Sequence, residues 1–214
     1  MSKSTKVHTR YYLKDGKTQV AGVTTILGIL DKPALVPWAW NLGLKGEDYR
    51  KIRDKAGSIG SIAHERIEHH LKKQEMDLSE YSQADIDKAN NSFNGFLEFE
   101  KTHKLELLKS EISLVSETHR FGGTIDLYAM LDGKKSLIDF KTSKGIWVEH
   151  RIQVAAYKNL LIENGYDVEE VYLLHINKEN GEFTVYYLKD LDLEWKFFKG
   201  LCAIYPLKKV LWKR

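Results

Sequence analysis

Two short stretches decide the fold of this chain: Gly122-Gly123-Thr124-Ile125-Asp126 and Leu137-Ile138-Asp139-Phe140-Lys141. Each lies in a run with the apolar character of a β-strand, and the Asp132-Gly133 dipeptide between them is a strong signal for a two-residue hairpin turn. A turn of that length pairs Leu131 with Lys134. The same register sets Asp126 directly opposite Asp139 and puts two acids on one face of a β-hairpin.

The length of the loop controls this arrangement. A four-residue loop would pair Asp126 with Lys141 instead, and a three-residue loop would break the arrangement. With the two-residue loop, Lys141 projects from the same face as Asp139, because side chains alternate along a strand. The alternative for the Asp-x-Lys triplet taken alone is a solvated hairpin face with one ordinary ion pair.

Two like charges that lie opposite each other on a sheet are destabilising unless a cation separates them. Mg²⁺ or Mn²⁺ fits such a site, because these ions bind carboxylate oxygens, water and phosphate. Two acids and a lysine around a divalent metal are the groups that hydrolyse phosphodiester bonds. The hairpin therefore predicts metal-dependent phosphodiester cleavage.

The same residues carry a resemblance to a known family. Asp126, the Asp139-Phe140-Lys141 triplet and the Gln153-x-x-x-Tyr157 spacing resemble the PD-(D/E)XK nuclease superfamily. More narrowly, they are similar to its RecB-type exonuclease branch, which places a histidine after small residues on an upstream helix, as His64 stands here. The similarity covers about residues 57–160, and the compact size resembles stand-alone phage exonucleases.

The resemblance implies an α/β (α+β) fold with a restriction-endonuclease-like core, in which a central mixed β-sheet is flanked by helices. It implies a single nuclease domain over residues 1–214, with an N-terminal extension of a β-hairpin and helices over about residues 1–56. The order of the predicted elements agrees with this layout.

The resemblance also implies roles for individual residues. Asp126 and Asp139 would be metal carboxylates, with His64 and the backbone carbonyl of Phe140 as further ligands. Lys141 would position the attacking water and offset negative charge on the phosphate. An imidazole ligand makes the site slightly softer, so that Mn²⁺ is expected to support activity as well as Mg²⁺.

Four further polar residues are candidates for the site. Gln153 and Tyr157 lie on one helix face because they are four residues apart, and in the family such a helix contacts the substrate phosphate or the catalytic lysine. Glu111 and Glu117 precede the glycine pair. Either one is a candidate for binding a second metal or a basic partner.

The remaining elements follow from periodicity and turn signals. An apolar, aromatic segment at 35–40 is expected in the core, although Trp38 or Trp40 could instead stack on a DNA base. The other predicted elements are a hairpin over 7–25, helices over 58–72, 84–102 and 147–164, strands over 111–116, 171–176 and 183–188, and a final helix from Leu191 that Pro206 interrupts.

Composition restricts the setting of the protein. The 214 residues are 43% hydrophobic and 29% charged, with a formal net charge of +3. The sequence contains no long uncharged apolar run, so it predicts no membrane span. Residues 1–6 lack the apolar segment of a secretion signal. We therefore expect a cytoplasmic protein, in the host-cell cytoplasm if it is phage-encoded, with a mitochondrion or another organelle left open.

The single cysteine, Cys202, excludes both an internal disulfide and a four-cysteine iron–sulfur cluster, and it is expected to be a small core residue. Two clusters of basic residues, at 45–55 and 208–214, are candidates for phosphate contacts.

We expect a metal-dependent DNA exonuclease that acts on linear or single-stranded ends in end processing, recombination or repair. A structure-specific endonuclease and a catalytically silent DNA-binding subunit are the alternatives. The chain lacks a helicase phosphate-binding loop, so a helicase or recombination protein is a candidate partner.

Overall fold

The computed structural model describes residues 9–212. The elements, in chain order, are β1 (Tyr11–Tyr12), β2 (Gln19–Gly22), α1 (Val23–Leu27), α2 (Leu35–Leu44), α3 (Tyr49–Leu71), α4 (Gln83–Thr102), β3 (Leu105–Ser116), β4 (Phe121–Leu131), β5 (Lys134–Lys141), α5 (Val148–Glu163), β6 (Glu170–Ile176), β7 (Phe183–Tyr187) and α6 (Asp192–Leu211).

The strands form one mixed sheet that separates two layers of helices. The strand order is β1-β2-β4-β5-β6-β7, and β3 pairs with β4 outside this path. One core cluster lies between the sheet and helices α1, α5 and α6, and the other lies between the sheet and helices α3 and α4. The predicted α/β fold, with a central mixed sheet flanked by helices, is confirmed.

The β4–β5 hairpin has the register that the two-residue turn predicts. Leu131 pairs with Lys134, and the antiparallel pairing continues to Leu127 and Ile138. Asp132 and Gly133 both have positive φ angles, of 49° and 84°, as the favoured two-residue hairpin turn requires.

The two acids lie immediately beyond the paired part of this hairpin, where β4 and β5 separate. β3 occupies one side of β4 along its whole length, so β2 and β5 share the other side. β2 pairs there only at Phe121 and Gly122, in a parallel contact that no local sequence pattern predicts. The segment of β4 between these contacts, which includes Asp126, therefore has no strand on that side, and the gap leaves room for side-chain chemistry.

The helix that carries His64 begins earlier than predicted, at Tyr49 rather than at residue 58. Its first turn is capped by Asp48, whose side chain accepts a hydrogen bond from the Arg50 N–H at 2.9 Å. The small residues that suggested a helix start lie inside α3. Gly60 permits the close approach of the residue that follows β5, because a Cβ there would lie 2.9 Å from the Thr142 hydroxyl.

The aromatic segment near the N-terminus is not in the core, and that prediction was wrong. It forms α2, which has no buried residue. The side chains of Val36, Trp40 and Leu44 are between 68% and 74% exposed. Trp38 instead contacts Tyr49 edge to face, with ring centroids 6.2 Å apart.

Several element boundaries also differ from the prediction. The N-terminal hairpin has its turn at Asp15-Gly16, but its second strand ends at Gly22, because α1 begins at Val23. The predicted residues 7 and 8 lie outside the described part of the chain. β3 begins at Leu105 rather than at residue 111, and α6 continues through Pro206 to Leu211.

Gly95→Ala should destabilise the protein, because α4 approaches the β6–β7 loop most closely at this glycine. A Cβ there would lie 2.3 Å from the Gly181 carbonyl oxygen and 2.6 Å from the Ile176 side chain. Overpacking of this kind costs about 2 kcal/mol, so thermal melting should fall by roughly 4–8 °C.

The matched control for this prediction is Gly57→Ala in α3, where a Cβ would meet nothing within 4 Å. Removing a helix-interior glycine at an open position should raise the stability by about 0.5–1 kcal/mol. Equal melting temperatures for the two variants would contradict the packing described here.

Candidate metal centre

Three potential metal ligands converge from three elements. Ligand atoms of His64 on α3, Glu111 on β3 and Asp126 on β4 all lie within 4.8 Å of one another. A nitrogen and two carboxylate oxygens at this separation match the donor set of a divalent cation such as Mn²⁺. The fold therefore assembles the cluster from residues up to 62 positions apart in the chain.

The backbone at Glu111 is strained. Its φ angle of +48° lies in the left-handed region, although Glu111 lies inside a strand. The β3–β4 register also shifts between Leu107 and Lys109, a few residues earlier. A non-glycine residue in this region costs on the order of 1–3 kcal/mol, and such strain concentrates at functional sites. The irregular strand brings Glu111 to the cluster.

Of the two acids proposed for an additional role, the structure brings only Glu111 into this cluster. Glu117 accepts a hydrogen bond from the Lys14 backbone N–H at 2.7 Å and so ties the end of β3 to the N-terminal hairpin.

His64 and Asp126 stabilise each other's charged form. The His64 Nδ1 atom lies 3.5 Å from Asp126 Oδ2. Burial is the largest single influence on His64 and lowers its pKa, but the charge and hydrogen bond of Asp126, together with the charge of Asp139, outweigh burial and raise the pKa. Burial is likewise the largest influence on Asp126 and raises its pKa, but His64, Lys141 and the Phe140 N–H together outweigh burial and lower the pKa. A divalent cation could take the place of the histidine proton in this pair.

Asp126 also fixes the separation of the two strands. Its Oδ2 atom accepts a hydrogen bond from the Phe140 backbone N–H at 2.9 Å. The Phe140 ring packs edge to face against the His64 ring, with centroids 5.7 Å apart. Asp126 is therefore held by both β5 and α3. The role predicted for the Phe140 carbonyl oxygen stays a prediction.

Asp139 is a buried acid with an unsatisfied oxygen. Its side chain is 1% exposed and forms an ion pair with Lys141 through Oδ2, whereas Oδ1 has no hydrogen-bond partner among residues 9–212. Burial, reinforced by the charge of Asp126 and opposed by Lys141, raises the pKa of Asp139 to about 6. A buried carboxylate oxygen without a partner is costly. A divalent cation beside Asp126 would satisfy it, so these residues fit Mg²⁺ or Mn²⁺.

The two polar residues of α5 lie beside the acids. Gln153 Nε2 donates a hydrogen bond to the Tyr157 hydroxyl at 2.8 Å. Burial, together with the charges of Asp139 and Asp126, raises the pKa of Tyr157 well above its ordinary value, which keeps the phenol protonated. Tyr157 can therefore act as a hydrogen-bond donor at this site.

The packing explains the glycine pair that precedes Asp126. A Cβ at Gly123 would lie 2.7 Å from the Tyr157 ring, and a Cβ at Gly122 would lie 2.2 Å from the Tyr11 ring. Glycine at both positions thus lets α5 and the N-terminal hairpin approach β4. The sequence drew attention to both glycines, but it did not show which aromatic rings pack against them.

An open cleft of about 1030 Å³ reaches the edge of the site, although His64, Asp126 and Asp139 do not line it. Glu111 and Tyr157 form part of its wall, and it extends along the N-terminal hairpin to α6. The basic or imidazole side chains along the cleft are Arg10, His119, Arg120 and Lys209. Sequence reasoning missed the first three, because they are scattered in the chain and form no charge run.

His64→Ala should weaken the response to metal more than it weakens the fold. Loss of one ligand should raise the Mn²⁺ concentration for half-maximal DNA cleavage by about tenfold or more. Melting without metal should change little, because Ile59, Ala63 and Ile67 remain buried in α3. The measurement is a metal titration of activity together with thermal melting.

His69→Ala is the matched control on the same helix, since its ring bonds the Glu75 carbonyl oxygen rather than the cluster. An unchanged metal response of His64→Ala with a large fall in melting temperature would make His64 a structural residue.

Comparisons with known proteins add little to this geometry. No family model and no curated protein matches the chain. A solved structure titled "Crystal structure of SSO0001" is similar over 70% of this chain and 74% of that chain, with 17% sequence identity and a TM-score of 0.37. Similarity at this level carries no argument about fold or function. Within residues 9–212, no helix is both long enough and apolar enough to cross a membrane.

Proposed function

We propose that this protein is a metal-dependent deoxyribonuclease that removes nucleotides from DNA ends, as an exonuclease of the PD-(D/E)XK superfamily and its RecB-type branch. The observation that carries the proposal is the buried, unpartnered oxygen of Asp139 beside Asp126. Lys141 is adjacent, and His64 and Glu111 complete a ligand set. An Asp139–Lys141 ion pair with only a structural role would not require further carboxylate oxygens beside it.

The residues that would hold the cation are Asp126, Asp139, His64 and Glu111. A bound Mg²⁺ or Mn²⁺ would supply a Lewis acid that polarises the phosphodiester and favours ionisation of the attacking water. The Phe140 N–H and the His64 ring hold the Asp126 carboxylate in its position within the ligand cluster.

Lys141 is the residue best placed to act on the attacking water and on the developing charge. Its ammonium pairs with Asp139 and its side chain is 14% exposed, so its position is restrained. It can orient the attacking water and offset the negative charge that develops on the phosphate. Tyr157, which stays protonated, is a second donor for phosphate oxygens.

The cleft supports DNA as the substrate. Its basic side chains can contact phosphates along a strand, a sequence-independent form of binding, and one of its walls includes Glu111 of the ligand cluster. A strand that enters along the cleft would present successive phosphodiesters to the same site. The cytoplasmic location and a helicase or recombination protein as partner stay predictions.

The experiment compares end-labelled linear DNA with covalently closed circular DNA, each incubated with Mg²⁺, Mn²⁺ or EDTA. The proposal expects degradation of the linear DNA alone, with either metal, and none in EDTA. Cleavage of closed circles would instead indicate an endonuclease. DNA binding without cleavage of either form would indicate a catalytically silent subunit.

A further inference from the structure

Helix α6 has two apolar faces, and residues 9–212 pack against only one of them. The inner face places Phe198 and Leu201 in the core cluster with α1 and α5. The outer face carries side chains that are between 47% and 77% exposed: Leu193, Phe197, Ile204, Leu207 and Leu211. An exposed apolar patch of this extent is typical of an interaction surface.

The outer face has the spacing of a coiled-coil seam. With Gly200 included, its residues follow one another at intervals of four, three, four, three and four positions. This is the alternation of heptad positions a and d that lets one helix pack along another. Scattered surface apolar residues would not keep this register over almost the whole helix.

No packing contact in the described part of the chain explains Gly200. A Cβ there would meet nothing within 4 Å, and glycine destabilises a helix interior relative to alanine. The other residues of the seam are large, so the gap at Gly200 can accommodate a side chain of another molecule.

The seam is complementary to itself when two copies run antiparallel. Leu193 then lies opposite Leu211, and Phe197 lies opposite Leu207. Gly200 lies opposite Ile204, so that each glycine receives an isoleucine of the other copy. All three pairs keep one register about a single midpoint, as a twofold axis requires.

The charges at the two ends of α6 favour the same orientation. The first turn carries Asp192 and the last turn carries Lys208, whereas Glu194 pairs with Arg151 of α5 and Lys209 lines the cleft. An antiparallel pair brings each acidic turn next to a basic turn and also opposes the helix dipoles. A parallel pair would bring like charges together.

We propose that the outer face of α6 is a dimerisation surface, through which two copies of this chain pair antiparallel about a twofold axis. The proposal does not depend on the nuclease function.

The first test measures the mass in solution by sedimentation over a hundredfold range of concentration. The wild type should reach twice the chain mass of 24.8 kDa, and Ile204→Glu should halve that mass. Val36→Glu, which changes an equally apolar residue that is 74% exposed on α2, should keep the dimer. Far-ultraviolet circular dichroism checks that each variant is folded. A monomeric wild type, or a dimer that survives Ile204→Glu, would overturn the proposal.

The second test fixes the orientation by disulfide cross-linking. Leu193→Cys and Leu211→Cys are made separately in a Cys202→Ala background, and the oxidised mixture should cross-link. Each variant alone should not, because its two thiols would lie about 27 Å apart along antiparallel helices. Cross-linking of Leu193→Cys to itself, with no cross-link between the two different variants in the mixture, would overturn the antiparallel arrangement.

Discussion

Asp139→Asn should lower the rate of linear DNA cleavage in saturating Mg²⁺ by roughly a thousandfold, equivalent to ~4 kcal/mol of transition-state stabilisation. The substitution keeps the shape of the side chain but replaces an oxygen of the proposed metal-binding carboxylate with an amide. The Asp139 side chain is 1% exposed and pairs with Lys141, so solvent cannot readily replace the lost carboxylate oxygen. The measurement is single-turnover cleavage of end-labelled DNA.

DNA binding by Asp139→Asn should be nearly unchanged, because binding depends on many phosphate contacts along the cleft. Asp167→Asn is the matched control, since this exposed acid pairs with Lys135 at the far end of the hairpin. A cleavage rate for Asp139→Asn within tenfold of that control would exclude Asp139 as a metal ligand.

Lys141→Ala should lower the cleavage rate by about 10²–10³-fold, the usual cost of removing one preorganised group that stabilises transition-state charge. The affinity for Mn²⁺ should rise or stay constant, because the ammonium competes with a cation for the Asp139 carboxylate. This combination of slower chemistry and undiminished metal binding separates a role in catalysis from a role in holding the site together.

Lys135→Ala provides the comparison, because Lys135 belongs to the same strand but pairs with Asp167 on the surface. It should cleave DNA at the wild-type rate. If Lys141→Ala also does so, the assignment of the β5 face to the active site is wrong.

The parts of the structure that the sequence predicted depend on short-range rules. The Asp132-Gly133 turn dictates a two-residue loop, and that loop alone fixes the register that brings Asp126 and Asp139 together. The layout of helices around a mixed sheet likewise follows from the order of local elements. Helix α5 ends close to its predicted position, because Gly165 adopts a φ angle of 85° after it.

The parts that were missed depend on tertiary contacts. The sequence named both Glu111 and Glu117 as candidates but did not decide between them, because no local pattern encodes the left-handed backbone of Glu111 in β3. The parallel β2–β4 contact joins residues about a hundred positions apart. The apolar composition of α2 suggested burial, but the helix lies outside the two layers that cover the sheet.

The most direct test of the central claim is calorimetric titration of the metal-free protein with Mn²⁺, without DNA. The claim is that Asp126 and its neighbours bind a divalent cation. The wild type should therefore bind Mn²⁺, and Asp126→Asn, which can still accept the Phe140 hydrogen bond, should bind it at least about tenfold more weakly. Equal affinities, or no binding by the wild type, would contradict the claim that this cluster is a metal centre.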